Sequence, residues 1–439
     1  MRIAVVNWSR RRVGGIETYL NTVLPELHRA GHEIAFWHEL DVPLDREEIR
    51  LPEGAPSWCV AEMGVARSLY ALRAWQPDVI YSHKVEDPNL EAETLRIAPS
   101  VYFAHDYQGM CISGTKTFKF PVTRPCARSF GLKCLAHYYP HRCGGLSPLT
   151  MMSLYRLQTK RLKLMHRYNA IVTHSEHMLA ELIKHGLSAQ RAYRFPYYVH
   201  RTDPDANTKE QPKLSQILFS DESYDEEPLL ETSERTCWHL LFSGRMELLK
   251  GGHVFLDALP KVAAAIDKPL RVTFAGDGRA RRSWERQAAR LQERDANSKI
   301  EFIGWANRSG IDSLLDDCDL MVVPSLWPEP FGLVGPEAGL KGVPVAAFAV
   351  GGIADWLANG INGYLAAGDP PTSDGLAEAI ILCLRDPLVH DRLRHGALRM
   401  AKQFNIKNHL TALLEVFERV ARHDVLPESN ALTRMTRTG

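Results

Sequence analysis

The chain has 439 residues, more than the roughly 250–300 that one hydrophobic core organises, so the sequence predicts two or three domains. Hydrophobic residues make up 45% and charged residues 24%, which is typical of a globular protein in water. The formal net charge of +1 excludes a general attraction to nucleic acid, and we expect no nucleic-acid partner. Because no apolar stretch is long enough for a signal peptide or a spanning helix, we expect a cytoplasmic location.

Short apolar strands alternate with helical segments along the chain, a pattern that favours parallel sheets covered by helices on both faces. The sequence therefore predicts an α/β fold with two Rossmann-like, doubly wound domains. The predicted parts are an N-terminal domain at 1–200 with a cysteine-rich insertion at 107–147, a hinge and polar insertion at 201–236, a C-terminal domain at 237–404, a terminal helix at 405–422 that crosses back to the N-terminal domain, and a tail at 423–439.

The segment from Glu329 to Glu337 reads E-P-F-G-L-V-G-P-E and lies between a predicted strand and a helix-like stretch. Amides at a helix N-terminus are available donors, so those of Phe331, Gly332 and Leu333 would bind a phosphate or a sugar hydroxyl. The two carboxylates would hold further hydroxyls. The segment therefore predicts an anion and sugar site.

Two glycine-containing turns predict phosphate contacts. Gly14 and Gly15 follow the first strand and precede a helix, where the missing side chain lets a phosphate approach the backbone. Gly244, Arg245 and Lys250 follow the first strand of the second domain, and the two cations would neutralise a diphosphate without a metal. A plain turn and a solvated basic loop are the respective structural alternatives.

Two further strand ends carry glycine, in Gly276-Asp277-Gly278 and in Phe302-Ile303-Gly304. The carboxyl ends of parallel strands meet along one edge of a sheet, so these residues would line a crevice that admits a nucleotide base and ribose. Turn chemistry explains each glycine taken alone.

Taken in order, these segments resemble the family-four retaining glycosyltransferases. The resemblance implies the glycosyltransferase B-type fold, in which two Rossmann-like domains face a central cleft. It implies that the C-terminal domain binds a UDP- or GDP-sugar and that the N-terminal domain binds a carbohydrate or lipid-linked acceptor. It further implies hexosyl transfer in bacterial surface polysaccharide or glycoconjugate synthesis.

The resemblance also implies roles for individual residues. Arg245 and Lys250 hold the diphosphate, while Glu329 binds hydroxyls of the donor sugar and Glu337 those of the ribose. His105, at the end of a first-domain strand, matches the family's active-site histidine near the transferred sugar, with a structural histidine as the alternative. The predicted catalytic set is His105, Arg245, Lys250 and Glu329, and the predicted donor-binding set is Gly14, Gly15, Gly244, Gly276, Asp277, Ile303, Phe331, Gly332, Leu333 and Glu337.

Retention is commonly explained in this family by same-face attack, in which the leaving phosphate oxygen helps to deprotonate the acceptor. We assign no covalent nucleophile, although Asp106 and Glu329 are the nearest carboxylates. Asp317-Cys318-Asp319 has the D-x-D pattern of metal-using transferases. Because Asp317 closes a predicted helix ahead of a strand, we expect it to be a turn residue and expect no catalytic cofactor.

Four cysteines, Cys111, Cys126, Cys134 and Cys143, cluster in a loop that is too long for an ordinary strand-to-helix connection. In a reducing cytoplasm such a cluster predicts a structural zinc site that orders an acceptor-binding flap. The spacing lacks paired C-x-x-C, so free cysteines, or disulfides in an oxidising compartment, are the alternatives.

The helical segment 149–168 is rich in Lys and Arg. Such a helix would contact anionic lipid at the membrane periphery and bring the site to a lipid-linked acceptor, whereas a solvated basic face is the alternative.

Two other classes of protein share the predicted architecture. One is a catalytically silent protein that binds nucleotide sugars. The other is a Rossmann-type oxidoreductase, which expects G-x-G-x-x-G after the first strand, where this chain has Asn7-Trp8-Ser9-Arg10.

Overall fold

The computed structural model describes residues 1–44, 46–195, 197–199, 236–294 and 298–422. The predicted tail at 423–439 and the predicted hinge at 201–236, apart from Thr236, lie outside these ranges. The chain divides into two α/β units: the first takes Met1–Thr115, Arg128–Tyr197 and the segment from Ile406, and the second takes Lys116–Ala127 and Tyr198–Asn405.

The first half of the chain alternates strands and helices as the hydrophobic pattern predicts. The strands are β1 (Arg2–Ser9), β2 (Glu33–Leu40), β3 (Ser57–Cys59), β4 (Val79–Ser82), β5 (Ser100–Phe103), β6 (Thr117–Phe118), β7 (Arg124–Pro125), β8 (Ala170–Thr173) and β9 (Ala192–Arg194). The helices are α1 (Gly15–Arg29), α2 (Val60–Met63), α3 (Val65–Ala74), α4 (Pro88–Thr94), α5 (Lys133–Tyr138), α6 (Pro148–Met165) and α7 (Glu176–Lys184).

The first unit is built on a seven-stranded parallel sheet of order β3-β2-β1-β4-β5-β8-β9. Strand β1 lies between β2 and β4, with Ile3 opposite both Ile34 and Val79. Its apolar run from Ile3 to Val6 has no exposed surface, as expected for a parallel strand covered on both faces.

The second half of the chain supplies the second unit and one returning helix. The strands are β10 (Trp238–Ser243), β11 (Leu270–Ala275), β12 (Ser298–Gly304), β13 (Leu320–Val323), β14 (Val345–Phe348) and β15 (Gly363–Ala366). The helices are α8 (Gly252–Ala265), α9 (Arg281–Gln292), α10 (Arg308–Asp316), α11 (Val334–Gly339), α12 (Ser373–Leu384), α13 (Pro387–Lys402) and α14 (Ile406–Ala421).

The second sheet is also parallel, with the order β12-β11-β10-β13-β14-β15. In both sheets the first strand has its successor on one side and a later strand on the other. Open α/β sheets bind ligands outside the carboxyl ends of the strands at this topological switch point. The switch points lie between β1 and β4 in the first unit and between β10 and β13 in the second.

Two segments join a unit that is distant in sequence. Helix α14 belongs to the first unit, where His409 Nε2 lies 2.8 Å from the Tyr19 hydroxyl and the Phe417 ring packs edge-on against Tyr81. The antiparallel β6–β7 hairpin groups with the second unit, whereas the sequence assigned the whole insertion 107–147 to the N-terminal domain. An ion pair of 3.9 Å between Arg124 and Asp369 is one contact that accounts for this placement.

Within the described ranges, no helix has both the length and the apolar character needed to cross a bilayer.

Candidate functional site

The loop that follows β10 is fixed against the loop that follows β13. Gly251 has φ 71°, and a Cβ there would lie 1.8 Å from the carbonyl oxygen of Pro324, so only glycine fits. The Leu326 amide donates to the carbonyl of Leu249 at 2.8 Å. These contacts bring Lys250, at the end of a single 3-10 turn, next to the segment that carries Glu329.

Lys250 and Glu329 form an ion pair at the switch point of the second sheet. Lys250 Nζ lies 2.6 Å from Glu329 Oε1, and only 8% of the Glu329 side chain is exposed. Ser325 Oγ donates to the same oxygen at 2.5 Å and Trp327 Nε1 at 2.9 Å. Glu329 Oε2 accepts no hydrogen bond from any described residue. The carboxylate is therefore held through one oxygen, and the other is left for a ligand.

Ser325 and Trp327 are site residues that the sequence analysis missed. They precede Glu329 by four and two residues in S-L-W-P-E. A hydroxyl and an indole N–H so close in sequence to a carboxylate indicate two hydrogen-bond donors to it. The ammonium of Lys250 also lies 5.5 Å from the centre of the Trp327 ring. The indole thus supports both members of the ion pair.

Arg245 lies in the same loop as Lys250, but its side chain is exposed. Its guanidinium makes no hydrogen bond or ion pair with any residue that the structure describes. A cation without a protein partner, beside a loop held rigidly by Gly251, is available to an anionic ligand.

Backbone geometry gives the glycines at the ends of β10 and β11 a structural reason. Gly276 has φ 137°, and a Cβ there would lie 2.0 Å from the carbonyl oxygen of Gly244. The Gly244 amide donates to Ala275 at 3.0 Å, and the Gly276 amide donates to Gly304 at 2.7 Å. Close contact between backbones therefore accounts for Gly276, whereas Gly244 has φ 151° and open space around a Cβ built on it.

Asp277 and Ile303 occupy the same edge of the sheet. One oxygen of Asp277 accepts from the Gly278 amide at 2.7 Å, and the other pairs with Arg281 at 3.2 Å. Ile303 is 45% exposed, and Trp305 two residues later is 69% exposed. Two exposed apolar side chains therefore lie at the carboxyl end of β12.

The segment after Glu329 is clamped by a buried tryptophan. Trp356 Nε1 donates to the carbonyl of Phe331 at 2.6 Å, and the Phe331 side chain is buried. The amides of Gly332 and Leu333 donate to no group in the described part of the chain. Helix α11, which follows them, has only six residues, so its dipole adds little at this end.

Glu337 lies in α11 and is engaged by an arginine from α10. Arg308 Nη1 donates to Glu337 Oε1 at 2.8 Å, and its Nε lies 3.2 Å from Asp312. The Glu337 carboxylate therefore already has a cationic partner.

The glycine turn of the first unit is shaped by a buried carboxylate. Glu17 is 3% exposed and accepts from the Gly14 amide at 2.9 Å and from Trp8 Nε1 at 2.9 Å. Gly14 is the N-cap of α1. Gly15 is exposed, and no atom lies within 4 Å of a Cβ built on it, so its backbone is open to a ligand.

His105 stands in a row of buried histidines. Its Nε2 lies 2.8 Å from Nδ1 of His83, and its ring lies 5.6 Å from that of His174. Burial lowers the pKa of His105 to about 3, and His409 adds to the lowering, so the ring is neutral at neutral pH. The sequence analysis missed His83 and His174, although a histidine closely follows each of β4, β5 and β8.

The structural zinc predicted at the four clustered cysteines stays a prediction. Cys126 belongs to the hairpin that groups with the second unit, whereas Cys111, Cys134 and Cys143 belong to the first. Among the described residues, no group of three His, Cys, Asp or Glu side chains is arranged to hold a metal ion.

The D-x-D pattern lies at the amino ends of the strands of the second sheet, whereas the candidate site lies at their carboxyl ends. Asp317 caps the end of α10 and pairs with Arg271 at 2.9 Å, while Asp319 Oδ2 accepts from the His239 amide at 2.8 Å. Both carboxylates serve structural contacts at the amino ends of the strands.

Two family models match this chain. Glycosyltransferase Family 4 matches residues 13–199, and Glycosyl transferases group 1 matches residues 231–417. A glycogen synthase of Mycobacterium tuberculosis is 31% identical over 190 residues, which are 43% of this chain and 44% of the relative. A phosphatidyl-myo-inositol mannosyltransferase of Mycobacterium leprae is 31% identical over 185 residues, 42% of this chain and 46% of the relative. Each match thus spans less than half of the relative's length.

Among solved structures, Anabaena Alr3699/HepE in complex with UDP is similar, with a TM-score of 0.62 and 18% identity over 96% of this chain and 99% of the other. This likeness supports the two-domain B-type fold. Together with the two family matches, which account for most of the sequence, it leads to one conclusion. The chain belongs to the group 1 glycosyltransferases, with an N-terminal domain of glycosyltransferase family 4.

Proposed function

We propose that this protein transfers a sugar from a UDP- or GDP-sugar to an acceptor hydroxyl, in the synthesis of a bacterial surface polysaccharide or glycoconjugate. The observation that carries the proposal is the Lys250–Glu329 ion pair at the switch point of the second sheet, with one carboxylate oxygen unengaged. The UDP complex of the structurally similar Anabaena protein and the sugar-transferring relatives support it.

In this proposal the two cations after β10 bind the diphosphate. Arg245 has no partner among the described residues, and Lys250 has further N–H donors beyond the one directed at Glu329. Their charges stabilise the diphosphate as it departs, and we propose that no catalytic metal is required. Glu329 Oε2 accepts a hydrogen bond from a hydroxyl of the donor sugar. The remaining donor-binding roles, including ribose binding by Glu337, stay proposals of the same kind.

The stereochemical part of the proposal is retention. A carboxylate fixed by three donors on one oxygen is poorly placed to swing onto an anomeric carbon, which favours a positioning role for Glu329 over covalent catalysis. We therefore propose same-face attack assisted by the leaving phosphate. Proton NMR of the first-formed product tests this: an anomer inverted relative to the donor contradicts it.

The test of function begins with ligand-induced stabilisation. We expect UDP or GDP to raise the melting temperature of the full chain by mass action, and the matching nucleotide sugar to release nucleotide when acceptors are added. Arg245→Ala and Glu329→Gln should each lower nucleotide release at least tenfold while the fold is kept. Lys261→Met, which removes an exposed ion pair with Glu378 on the same unit, is the matched control and should retain activity. Binding without transfer to any acceptor would favour the silent nucleotide-sugar-binding alternative.

We also propose peripheral contact with anionic lipid through α6. Three cations of α6 and one just after it recur at spacings of four, three and four residues, are exposed and form no ion pair with a described residue: Arg156, Lys160, Lys163 and Arg167. Leu146 and Leu149, at the N-terminal end of α6, are 87% and 84% exposed. Arg161 is the exception in this basic segment, since it is buried and donates to the carbonyl of Glu86.

Vesicle co-sedimentation tests this contact. Binding to phosphatidylglycerol vesicles and not to phosphatidylcholine vesicles is expected, and Lys160→Glu with Lys163→Glu should abolish it. The reversal Lys407→Glu, at an exposed position on α14, should not. Equal binding of all variants would reject the helix as the contact.

A further inference from the structure

Each of three neighbouring strands of the first sheet is followed by a histidine at its carboxyl end. His83 directly follows β4, His105 follows β5 after one alanine, and His174 directly follows β8. These strands are adjacent in the order β4-β5-β8. The rings of His83 and His105 are stacked with centroids 5.1 Å apart and planes inclined by 27°. The row lies beside the switch point of the first unit.

One hydrogen bond joins two members of this row. His83 Nδ1 and His105 Nε2 are 2.8 Å apart, and His83 is 1% exposed. Burial, together with the neighbouring His105, lowers the pKa of His83 well below its usual range, so both rings are neutral. In a pair of neutral imidazoles one nitrogen donates and the other accepts.

The surroundings of His83 decide which ring donates. Its other nitrogen, Nε2, is buried and has no hydrogen-bond partner in the described part of the chain. If Nε2 carried the proton, an N–H group would be buried without an acceptor, which folded proteins strongly avoid. If Nδ1 carries the proton, that N–H donates to His105. Nε2 of His83 is then left with an unused acceptor lone pair and no buried N–H.

We propose that His83 is a positioning residue that donates from Nδ1 to Nε2 of His105 and so holds the proton of His105 on Nδ1. His105 then offers Nδ1–H, which has no partner among the described residues, to an oxygen acceptor such as a sugar hydroxyl. In this tautomer Nδ1 cannot take a proton from the acceptor substrate. His105 is thus a hydrogen-bond donor rather than a general base. This refinement rests on the proposed function only for the identity of the ligand.

The tautomer is measured directly by long-range ¹H–¹⁵N correlation of the full chain labelled at histidine, with His105→Gln used to assign the signals of His105. We expect a protonated Nδ1 and an unprotonated Nε2 at neutral pH. His83→Asn places an amide N–H at the position of Nδ1 and should keep this pattern. His83→Leu removes the donor and should yield a mixture of tautomers. Protonation of Nε2 in the wild type, or an unchanged pattern in His83→Leu, would overturn the inference.

Kinetics provide the second readout. With a donor sugar found by the nucleotide screen, His83→Leu should lower kcat about tenfold, the effect of one misdirected hydrogen bond, with KM nearly unchanged. His83→Asn should recover most of the rate, and equal losses in both variants would contradict the positioning role. If the wild type transfers no sugar, the proposed function fails while the tautomer result stands by itself.

Discussion

Lys250→Met tests how much the ion pair between Lys250 and Glu329 contributes to the stability of the second unit. The substitution keeps the apolar stem of the side chain and removes the cation that lies 2.6 Å from a carboxylate with 8% exposure. Removing one partner of a fully buried pair costs about 3–5 kcal/mol. Here Ser325 and Trp327 still donate to the carboxylate and a quarter of the Lys250 side chain is exposed, so we expect a loss of about 2 kcal/mol.

The assay is thermal unfolding of a double-mutant cycle. For a unit of this size, about 2 kcal/mol corresponds to a fall in Tm of about 4–8 °C. Glu329→Gln keeps an oxygen that accepts from Ser325 and Trp327, so it should cost about 1 kcal/mol. Because the double variant leaves no uncompensated charge, it should be no less stable than Lys250→Met alone. A double variant whose loss equals the sum of the two single losses would refute the coupling between the two side chains.

Three more predictions concern backbone space, pH and metal. Gly251→Ala should destabilise the protein by about 3 kcal/mol or more in urea unfolding, because its Cβ would meet the Pro324 carbonyl, whereas Gly15→Ala should be tolerated. His38 and His105 have pKa values lowered to about 4 and about 3, chiefly by burial, so the unfolded chain binds more protons below pH 6.5. Stability should be fully present above pH 7 and fall toward pH 4, each histidine costing about 2 kcal/mol at pH 5. A Tm independent of pH in this window would contradict neutral burial. Elemental analysis of the purified chain tests the structural zinc predicted at the clustered cysteines: one zinc per chain is expected, and its absence would favour free or disulfide-bonded cysteines.

The alternation of short apolar runs with helical segments was sufficient to predict the central strands. Apolar runs such as Ala170–Thr173 and Leu270–Ala275 coincide with interior strands of the two sheets. The pattern does not predict the strands β3, β6, β7, β9 and β15. All five lie at the edge of a sheet, where a strand pairs on one side only and needs no continuous apolar run.

The candidate site was predictable in its types of residue but not in its pairings. Lys250 and Glu329 are 79 positions apart, and only the adjacency of β10 and β13 brings them together. Gly276 was predicted to contact a ligand, because a sequence does not reveal that the backbone of Gly244 leaves no space for a side chain there.

The returning helix α14 has a consequence for the order of folding. The hydrogen bond between Tyr19 and His409 spans 390 positions, so the first unit combines early residues with a helix that follows the second unit in sequence. During synthesis the second unit is complete while Tyr19 and Tyr81 still lack the helix that covers them. The N-terminal domain is therefore the last to finish, and contacts of such long range slow its completion. A protein shortened just before α14 would expose this aromatic surface, however intact its second unit.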